Sequence, residues 1–222
     1  MITILKRLSV VALVLISMNA KAQLVVKAGL TSADVSLKNN AGAMDQFNEA
    51  KKGVHFGLFM NKEINSLLSY ETGLMFDQKG MKMIDDLGGG NIQTQIMSVA
   101  YLKLPVALKI GVDVTSDVRV FGKLGGYGGY GLKGDIATEV VNSGTVTSSS
   151  DMDLNIGTDV AAGDMIKPID FGTEFGLGVA YKRISLEVNF AQGLANIATD
   201  TSSGEVFKNK EFKFTLGYSF GK

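Results

Sequence analysis

Strict alternation of apolar and small or charged residues is the feature that most constrains this chain. Between residues 171 and 181, every second side chain is bulky and mostly apolar, and glycine, alanine or glutamate fills the positions between them. Successive side chains of a β-strand point to opposite faces, so this segment predicts a strand with one apolar face. The pattern recurs and predicts eight strands, at about 24–31, 53–61, 67–79, 97–110, 117–132, 169–181, 184–193 and 211–220.

The connections between these strands alternate in length. Four are long and polar, at 32–52, 80–96, 133–168 and 194–210, and three are short, at 62–66, 111–116 and 182–183. Alternation of this kind is typical of an up-and-down meander in which one end faces outside and the other faces the periplasm. The sequence therefore predicts an all-β fold, an eight-stranded antiparallel up-and-down transmembrane β-barrel, with both termini on the short-turn side.

The first 22 residues have the properties of an export signal. Lys6 and Arg7 precede an apolar run over residues 8–18. Small residues at positions 20 and 22 then come just before the expected cleavage point, which lies before Gln23. We expect a cleavable signal peptide at 1–22 and a single outer membrane β-barrel domain at 23–222. No later stretch is long and apolar enough for a spanning helix, so insertion into a membrane would depend on strands.

Composition excludes several classes of function. Without residues 1–22 the chain has 19 basic and 22 acidic side chains, a net charge of −3, which argues against nucleic acid as a partner. The absence of cysteine excludes disulfides, thiolate nucleophiles and cysteine-ligated zinc, and the single histidine, His55, cannot form a multi-histidine metal site. We expect no cofactor and no metal.

The alternation alone does not say which face points inward. A soluble secreted or periplasmic lipocalin-like barrel, binding an apolar small molecule, would place its apolar residues inside. The nearly unbroken apolar face of strands such as 102–110 and 184–190, and the asymmetry of the connections, favour the membrane arrangement. The narrow interior would then be filled by side chains that pair acid with base. The predicted structural cluster consists of Lys27, Glu71, Asp77, Lys103, Lys109, Arg119, Lys123, Glu174, Glu187, Glu211 and Lys213.

Aromatic residues are sorted toward the two ends of the predicted strands. Two aromatic girdles at the membrane interfaces are expected of an outer-membrane barrel. The short-turn girdle contains Tyr70, Tyr181, Tyr218 and Phe220, and the long-loop girdle contains Phe56, Phe76, Phe171, Phe190 and Phe212. Pro105 is out of place inside a strand with two neighbours, because it cannot donate to the hydrogen-bond ladder.

Several short segments resemble the PorT-like outer membrane β-barrel family of Bacteroidetes-type bacteria. They are YETGLMFDQKG at 70–80, YLKLPV at 101–106, GLGVAY at 176–181, GLANI at 193–197, KAGL at 27–30 and LGYSF at 216–220. The resemblance implies an outer-membrane barrel with a common Leu-Pro step at Pro105 and no shared enzymatic activity. The chain departs from the usual aromatic terminus by ending in Gly221 and Lys222.

Other motifs do not predict catalysis. Residues 126–131 fit G-x-G-x-x-G, but no helical pattern follows to receive a pyrophosphate. The acidic segment 151–159 lacks the glycine and the closing glutamate of a calcium loop, so a solvated loop is favoured. Ser148 to Ser150 have no strained-turn signature and no nearby base, and a hydrogen-bonded lumenal or rim histidine is the favoured interpretation of His55.

The function expected from these observations is structural or based on interaction. It would be carried by the long outside loops 133–168 and 32–52, because side chains block the interior of an eight-stranded barrel and make a conducting pore less favoured. The expected partners are outer-membrane lipid, the barrel-insertion machinery and an unknown extracellular partner. Four methionines, Met75, Met81, Met83 and Met97, gather around the second long loop, and methionine-rich surfaces can bind promiscuously.

Overall fold

The computed structural model describes residues 22–40, 42–43 and 48–221, and most of these residues lie in β-strands. The predicted signal peptide lies outside the described residues, apart from its last position. The strands are β1 (Gln23–Asn39), β2 (Gly42–Ala43), β3 (Asn48–Glu63), β4 (Leu68–Gly88), β5 (Asn91–Asp113), β6 (Val118–Asn142), β7 (Thr145–Leu154), β8 (Ile169–Tyr181), β9 (Ile184–Gly193) and β10 (Val206–Phe220). In these ranges the helical structure is a 3₁₀ turn over Val160–Ala162, and no helix has the length and apolar character needed to cross a membrane.

Eight of these strands close into a ring of antiparallel neighbours, in the order β1, β3, β4, β5, β6, β8, β9 and β10, with β10 pairing back onto β1. The ring is staggered. A path across paired residues that starts at Gln23 returns to β1 at Ala33, ten residues farther along. The path runs through Asn61, Glu71, Ala107, Gly125, Glu174, Ala191 and Glu211. A stagger of this size goes with strands tilted by about 35–45° from the barrel axis. The eight-stranded barrel predicted from the sequence is confirmed.

The apolar face of the barrel points outward. Leu30, Leu177 and Leu186 are 64%, 73% and 59% exposed, whereas Lys103 and Asp77 are fully buried. A soluble ligand-binding barrel would have the opposite arrangement. The lipocalin-like alternative is therefore wrong, and the outward band of leucine, valine and phenylalanine is the surface that contacts hydrocarbon.

Six of the eight predicted strands, β1, β3, β4, β5, β6 and β10, are at least five residues longer than predicted, and β2 and β7 are additional strands. β4 and β5 continue to a tight turn at Gly89 and Gly90, and β6 and β7 meet at a turn over Ser143 and Gly144, so the predicted loops at 80–96 and 133–168 are largely hairpins. Ser143 and Gly144 both have positive φ, at 45° and 84°, as a two-residue hairpin turn of this twist requires. The apolar alternation ends where the outward face leaves the hydrocarbon and meets water, but the hydrogen-bond ladder continues. We call residues 80–100 and 133–154 the outer sheet.

Two connections fold over the outer opening of the barrel, and we call them the cap: residues 155–168 and 194–205. The backbone N–H of Lys167 donates to the carbonyl of Ile197 at 2.7 Å, which joins the two connections. Ile166 is almost fully buried and packs against Val35 and Tyr101 on the inner side of the wall. The outer opening is therefore closed by packed side chains.

Pro105 is accommodated by a local interruption of the ladder between β4 and β5. The hydroxyl of Thr72 donates to the carbonyl of Pro105 at 2.9 Å, and the paired positions pass from Thr72 to Met75 without including Gly73 and Leu74. On its other side Pro105 stays in register with Tyr127 of β6. The strand keeps its course because only one of its two ladders is broken.

Candidate functional site: the lumenal charge network and the capped mouth

The inner half of the barrel lumen contains a cluster of five charged side chains. Lys27 on β1 lies 2.6 Å from both Glu71 on β4 and Glu187 on β9, and each of these strands is the second from β1 around the ring. Lys109 contacts Glu71 at 3.2 Å, and Lys123 contacts Glu187 at 3.2 Å. Each buried carboxylate therefore has at least two ammonium partners, which offsets the cost of removing it from water.

The outer half contains a second cluster. Lys79 lies 2.6 Å from both Asp170 and Glu211, and Lys103 lies 3.2 Å from Asp77 and 3.0 Å from Glu211. All five side chains are almost fully shielded from solvent. Glu211 thus bridges two ammonium groups above the middle of the barrel.

Lys213 and Glu174 join the two clusters. Their charged atoms are 2.7 Å apart, while Glu174 also contacts Lys123 at 3.1 Å and Lys213 contacts Glu211 at 3.3 Å. Within the described strands the connected network, which we call the lumenal network, contains six lysines and six carboxylates. Its formal charge is zero, which suits a closed low-dielectric interior.

Two aromatic rings shield the outer cluster. The ammonium group of Lys103 lies 3.8 Å from the ring centre of Tyr127, and that of Lys79 lies 4.8 Å from Tyr101 and 4.6 Å from Tyr127. Contacts of this kind stabilise a desolvated cation. Tyr101 belongs at the same time to the apolar cluster beneath the cap. The network is therefore separated from outside water by an aromatic and aliphatic layer.

The lumen holds very little free space. Around His55, Met75 and Pro105 the remaining gap is about 10 Å³, which is room for at most one water molecule. A larger polar vestibule of about 280 Å³ opens at the short-turn end and is bounded by Lys27, Glu71 and other side chains of the inner cluster. Solute entering this vestibule meets the lumenal network.

The structure places ten of the eleven predicted cluster residues in the lumenal network. Lys109 is the most exposed of these, with 12% of its side chain accessible at the inner mouth. Arg119 is the exception. Its guanidinium donates to Asp113 at 2.9 Å, to the Ser66 carbonyl at 2.8 Å and to the Gly111 carbonyl at 3.0 Å, so it ties the short turns together.

Sequence reasoning missed two members of the network, Lys79 and Asp170. Lys79 has the same parity as Asp77 on β4, and Asp170 has the same parity as Glu174 on β8. The alternation could have found both, but each stands at an end of its predicted strand, where the apolar face gives way to polar residues.

His55 is held by two threonines. Its Nδ1 lies 2.9 Å from the Thr31 hydroxyl and its Nε2 lies 2.9 Å from the Thr215 hydroxyl, and the ring is 2% exposed. Ser148 to Ser150 lie instead on the exposed strand β7, paired with Val140 to Thr138. The geometry gives these serines no contact with the histidine.

The other predicted motifs have structural places. Residues 126–131 lie inside β6, paired with antiparallel strands on both sides, so no helix N-terminus follows them. In segment 151–159, Asp159 caps the 3₁₀ turn by accepting from the Ala161 N–H, and Asp164 accepts from the Asp159 N–H, both at 2.9 Å. The described part of the chain has no group of three or more histidine or acidic side chains suited to a metal ion.

The predicted girdle residues lie on the outward face. Of the short-turn set, Tyr181, Tyr218 and Phe220 are between 40% and 55% exposed. Of the long-loop set, Phe56 stacks on Phe76 with ring centres 5.1 Å apart. The remaining members are Tyr70, Phe171, Phe190 and Phe212. Because β3 and β4 continue beyond the apolar band, Phe56 and Phe76 lie in mid-strand and not at strand ends.

The sequence of this chain matches a family of known proteins. A sequence model described as "Outer membrane protein beta-barrel domain" matches residues 17–199. No curated protein sequence matches the chain.

Solved structures with a similar course of the chain share little sequence with it. Ail of Yersinia pestis, in complex with the heparin analogue sucrose octasulfate, has 10% identity and a TM-score of 0.40, covering 90% of this chain and 100% of Ail. Neisserial surface protein A has 12% identity and a TM-score of 0.42, covering 89% and 97%. The translocator domain of the autotransporter NalP from Neisseria meningitidis has 7% identity and a TM-score of 0.34, covering 97% and 95%.

Proposed function

The chain belongs to the outer membrane protein beta-barrel domain family, and from this premise we propose that it is a closed barrel whose role is to present its outer sheet to an extracellular partner. The protein is an integral component of the outer membrane. The observation that carries the proposal is the unequal length of its strands. β4, β5 and β6 have 21, 23 and 25 residues, whereas β9 has 10, and about 9–11 residues suffice to cross the membrane.

The additional length forms a projection. From Lys79 to the turn at Gly89 the chain extends by about 30 Å along the strand direction. Strands β3 to β7 pair side by side there. A paired sheet holds its surface in a fixed geometry, which favours recognition because less conformational entropy is lost on binding.

β7 supplies the outer edge of this sheet. It pairs with β6 on one side, and within the described ranges no other strand pairs with it. Residues 145–153 are exposed along their whole length. An exposed edge offers main-chain donors and acceptors to an added strand, so we expect a partner segment to bind along β7.

The closed interior supports an interaction role over transport. The lumenal network fills the middle of the described barrel, where the gap around His55 is about 10 Å³, and the cap packs over its outer end. Catalysis is not part of the proposal, because both ring nitrogens of His55 are engaged and the lumenal carboxylates are paired with lysines. The further partners that we propose are outer-membrane lipid and the barrel-insertion machinery.

Within the family we assign the chain to its PorT-like members from Bacteroidetes-type bacteria. The support is the set of short segments that includes 70–80 and 101–106. We propose no additional activity for the chain on the basis of this assignment.

A photo-cross-linking experiment tests the interaction role. The chain has no cysteine, so a single Ser149→Cys variant can carry a benzophenone label on β7, and Ser116→Cys in the exposed short turn is the matched control. On intact cells of the native species we expect a specific adduct from position 149 and none from position 116. In planar bilayers the purified protein should give no steady conductance. Stable channels, or equal adducts at both positions, would contradict the proposal.

A further inference from the structure

A cavity of about 190 Å³ lies between the outer sheet and the cap. The sheet contributes Met81, Met83, Met97 and Ile136 to its wall, and the cap contributes Met165. Phe207, at the start of β10, closes one side. Its lining shares no residue with the lumenal gap around His55, whose walls include charged side chains.

The framework of the cavity is preformed. Leu154 and Ile166 in its wall are 4% and 1% exposed and belong to the apolar cluster beneath the cap. The backbone N–H of Gly157 donates to the Ile166 carbonyl at 2.9 Å, and the N–H of Met165 donates to the Asn155 carbonyl at 2.9 Å. Both bonds lie within the cap and fix its fold, and the backbone N–H of Gly131 on β6 donates to the Pro168 carbonyl at 2.7 Å, which ties the cap to the barrel wall.

The lining has the chemistry of a small-molecule site. Ligand sites are mostly apolar, with a small number of polar groups that orient the ligand, and here Gln95 is the one polar side chain among aliphatic, aromatic and thioether groups. Methionine side chains adapt their shape to different apolar ligands. Met165 is 45% exposed, and it stands at the entrance from outside water.

We propose that this cavity binds a small neutral molecule that is mostly apolar and carries one hydrogen-bonding group. A dry apolar cavity of about 150 Å³ admits benzene, so this larger cavity accommodates a bicyclic aromatic compound. Gln95 would bind the polar group. Thioethers also bind soft cations such as Cu(I), but a single ion would leave most of the volume and the aliphatic wall unused. The proposal does not depend on a protein partner at β7.

Methionine-methyl NMR of the full barrel in lipid nanodiscs tests the proposal, with indole as the probe. The pocket methyls of Met81, Met83, Met97 and Met165 should shift with saturation as indole is added. Three further methyls serve as internal controls: Met60 on the outward face, Met75 in the lumen and Met152, which is 58% exposed on β7. These should move little and without saturation, because indole meets Met60 only in the lipid, meets Met152 only as free solute in water, and does not reach Met75 in the filled lumen.

Three variants keep the test decisive. Ile136→Phe fills the cavity and should abolish the saturable shifts, whereas Met152→Leu should leave them unchanged. Met165→Ala opens the entrance at an exposed position and should speed exchange of the probe without loss of folding, checked by heat-dependent gel mobility. Four outcomes would each overturn the proposal. They are shifts that do not saturate, equal shifts at Met60, normal binding by the Ile136→Phe variant, and a response to the soft cation Ag⁺ without a response to indole.

Discussion

Lys213 and Glu174 approach to 2.7 Å and connect the two halves of the lumenal network. Both side chains are buried, at 2% and 7% exposure. Lys213 lies on β10 and Glu174 lies on β8, and β9 runs between these two strands.

Removal of Lys213 should strongly destabilise the barrel. In Lys213→Met, Glu174 loses its nearest cation, and we expect a loss of about 3–5 kcal/mol in the free energy of unfolding, as for other broken buried pairs. Urea unfolding in lipid vesicles measures it. Lys182→Met is the matched control, because its partner Asp117 is 3.7 Å away and both side chains are about half exposed, and it should cost less than about 1 kcal/mol. A double variant with Glu174→Gln should recover part of the loss, and strict additivity would contradict the pairing.

Because neighbouring residues of β9 point to opposite faces of the wall, we expect substitutions at these positions to differ in their effect on stability. Leu186 is 59% exposed to the lipid side, so Leu186→Arg should cost about 2–4 kcal/mol. Ser185 has the opposite parity, and Ser185→Ala should be mild. The same unfolding assay compares the two, and similar costs would mean that the facing of the strand is wrong.

Two glycines should respond differently to an added methyl group. A Cβ at Gly29 would collide with the carbonyl oxygen of Phe214 and stand 2.8 Å from the ring of His55, whereas a Cβ at Gly128 has no atom within 4 Å. We expect Gly29→Ala to cost about 1–3 kcal/mol because β1 and β10 must separate locally, and Gly128→Ala to lie within about 0.5 kcal/mol of the parent. Gel mobility after stepwise heating ranks the variants, and an equally stable Gly29→Ala would disprove the close approach.

The cap should loosen when Asn196 is truncated. Its side-chain oxygen accepts from the N–H groups of Ala198 and Phe207 at 3.1 and 2.9 Å, and its amide donates to the Glu205 carbonyl at 2.8 Å. Asn196→Ala leaves these groups without their partner, at a cost of about 1–3 kcal/mol. Hydrogen exchange should accelerate in the cap and stay unchanged in β9, with the exposed Thr201→Ala as control. Unchanged exchange in the cap would show that Asn196 does not hold it.

The barrel was predictable from local pattern because the membrane imposes it. Hydrocarbon on one side and a narrow interior on the other force an alternation that one strand, such as 171–181, displays by itself. The outer sheet was not predictable in this way. At Met81 or Thr138 the outward face meets water and no longer has to be apolar, and the hydrogen bonds that extend the strand leave no signature in the side chains.

The residues that belong to the lumenal network were easier to predict than the ion pairs that they form with one another. Parity alone places Lys27 and Glu187 inside, but their contact depends on how far the ring is staggered when it closes. That stagger is the sum of every register around the barrel, and no single segment encodes it. The cavity beneath the cap is less predictable still, because Met165 and Met97 meet only through the packing of a connection.

The distribution of ion pairs has a consequence for how the protein enters its membrane. Lys27 on β1 finds its counter-ions on β4 and β9, and Lys79 on β4 finds its own on β8 and β10, so neither is neutralised by an adjacent strand. A half-assembled sheet would carry bare ammonium groups toward the bilayer core. We therefore expect insertion to be concerted, with the last seam and the final neutralisation of charge occurring as one event.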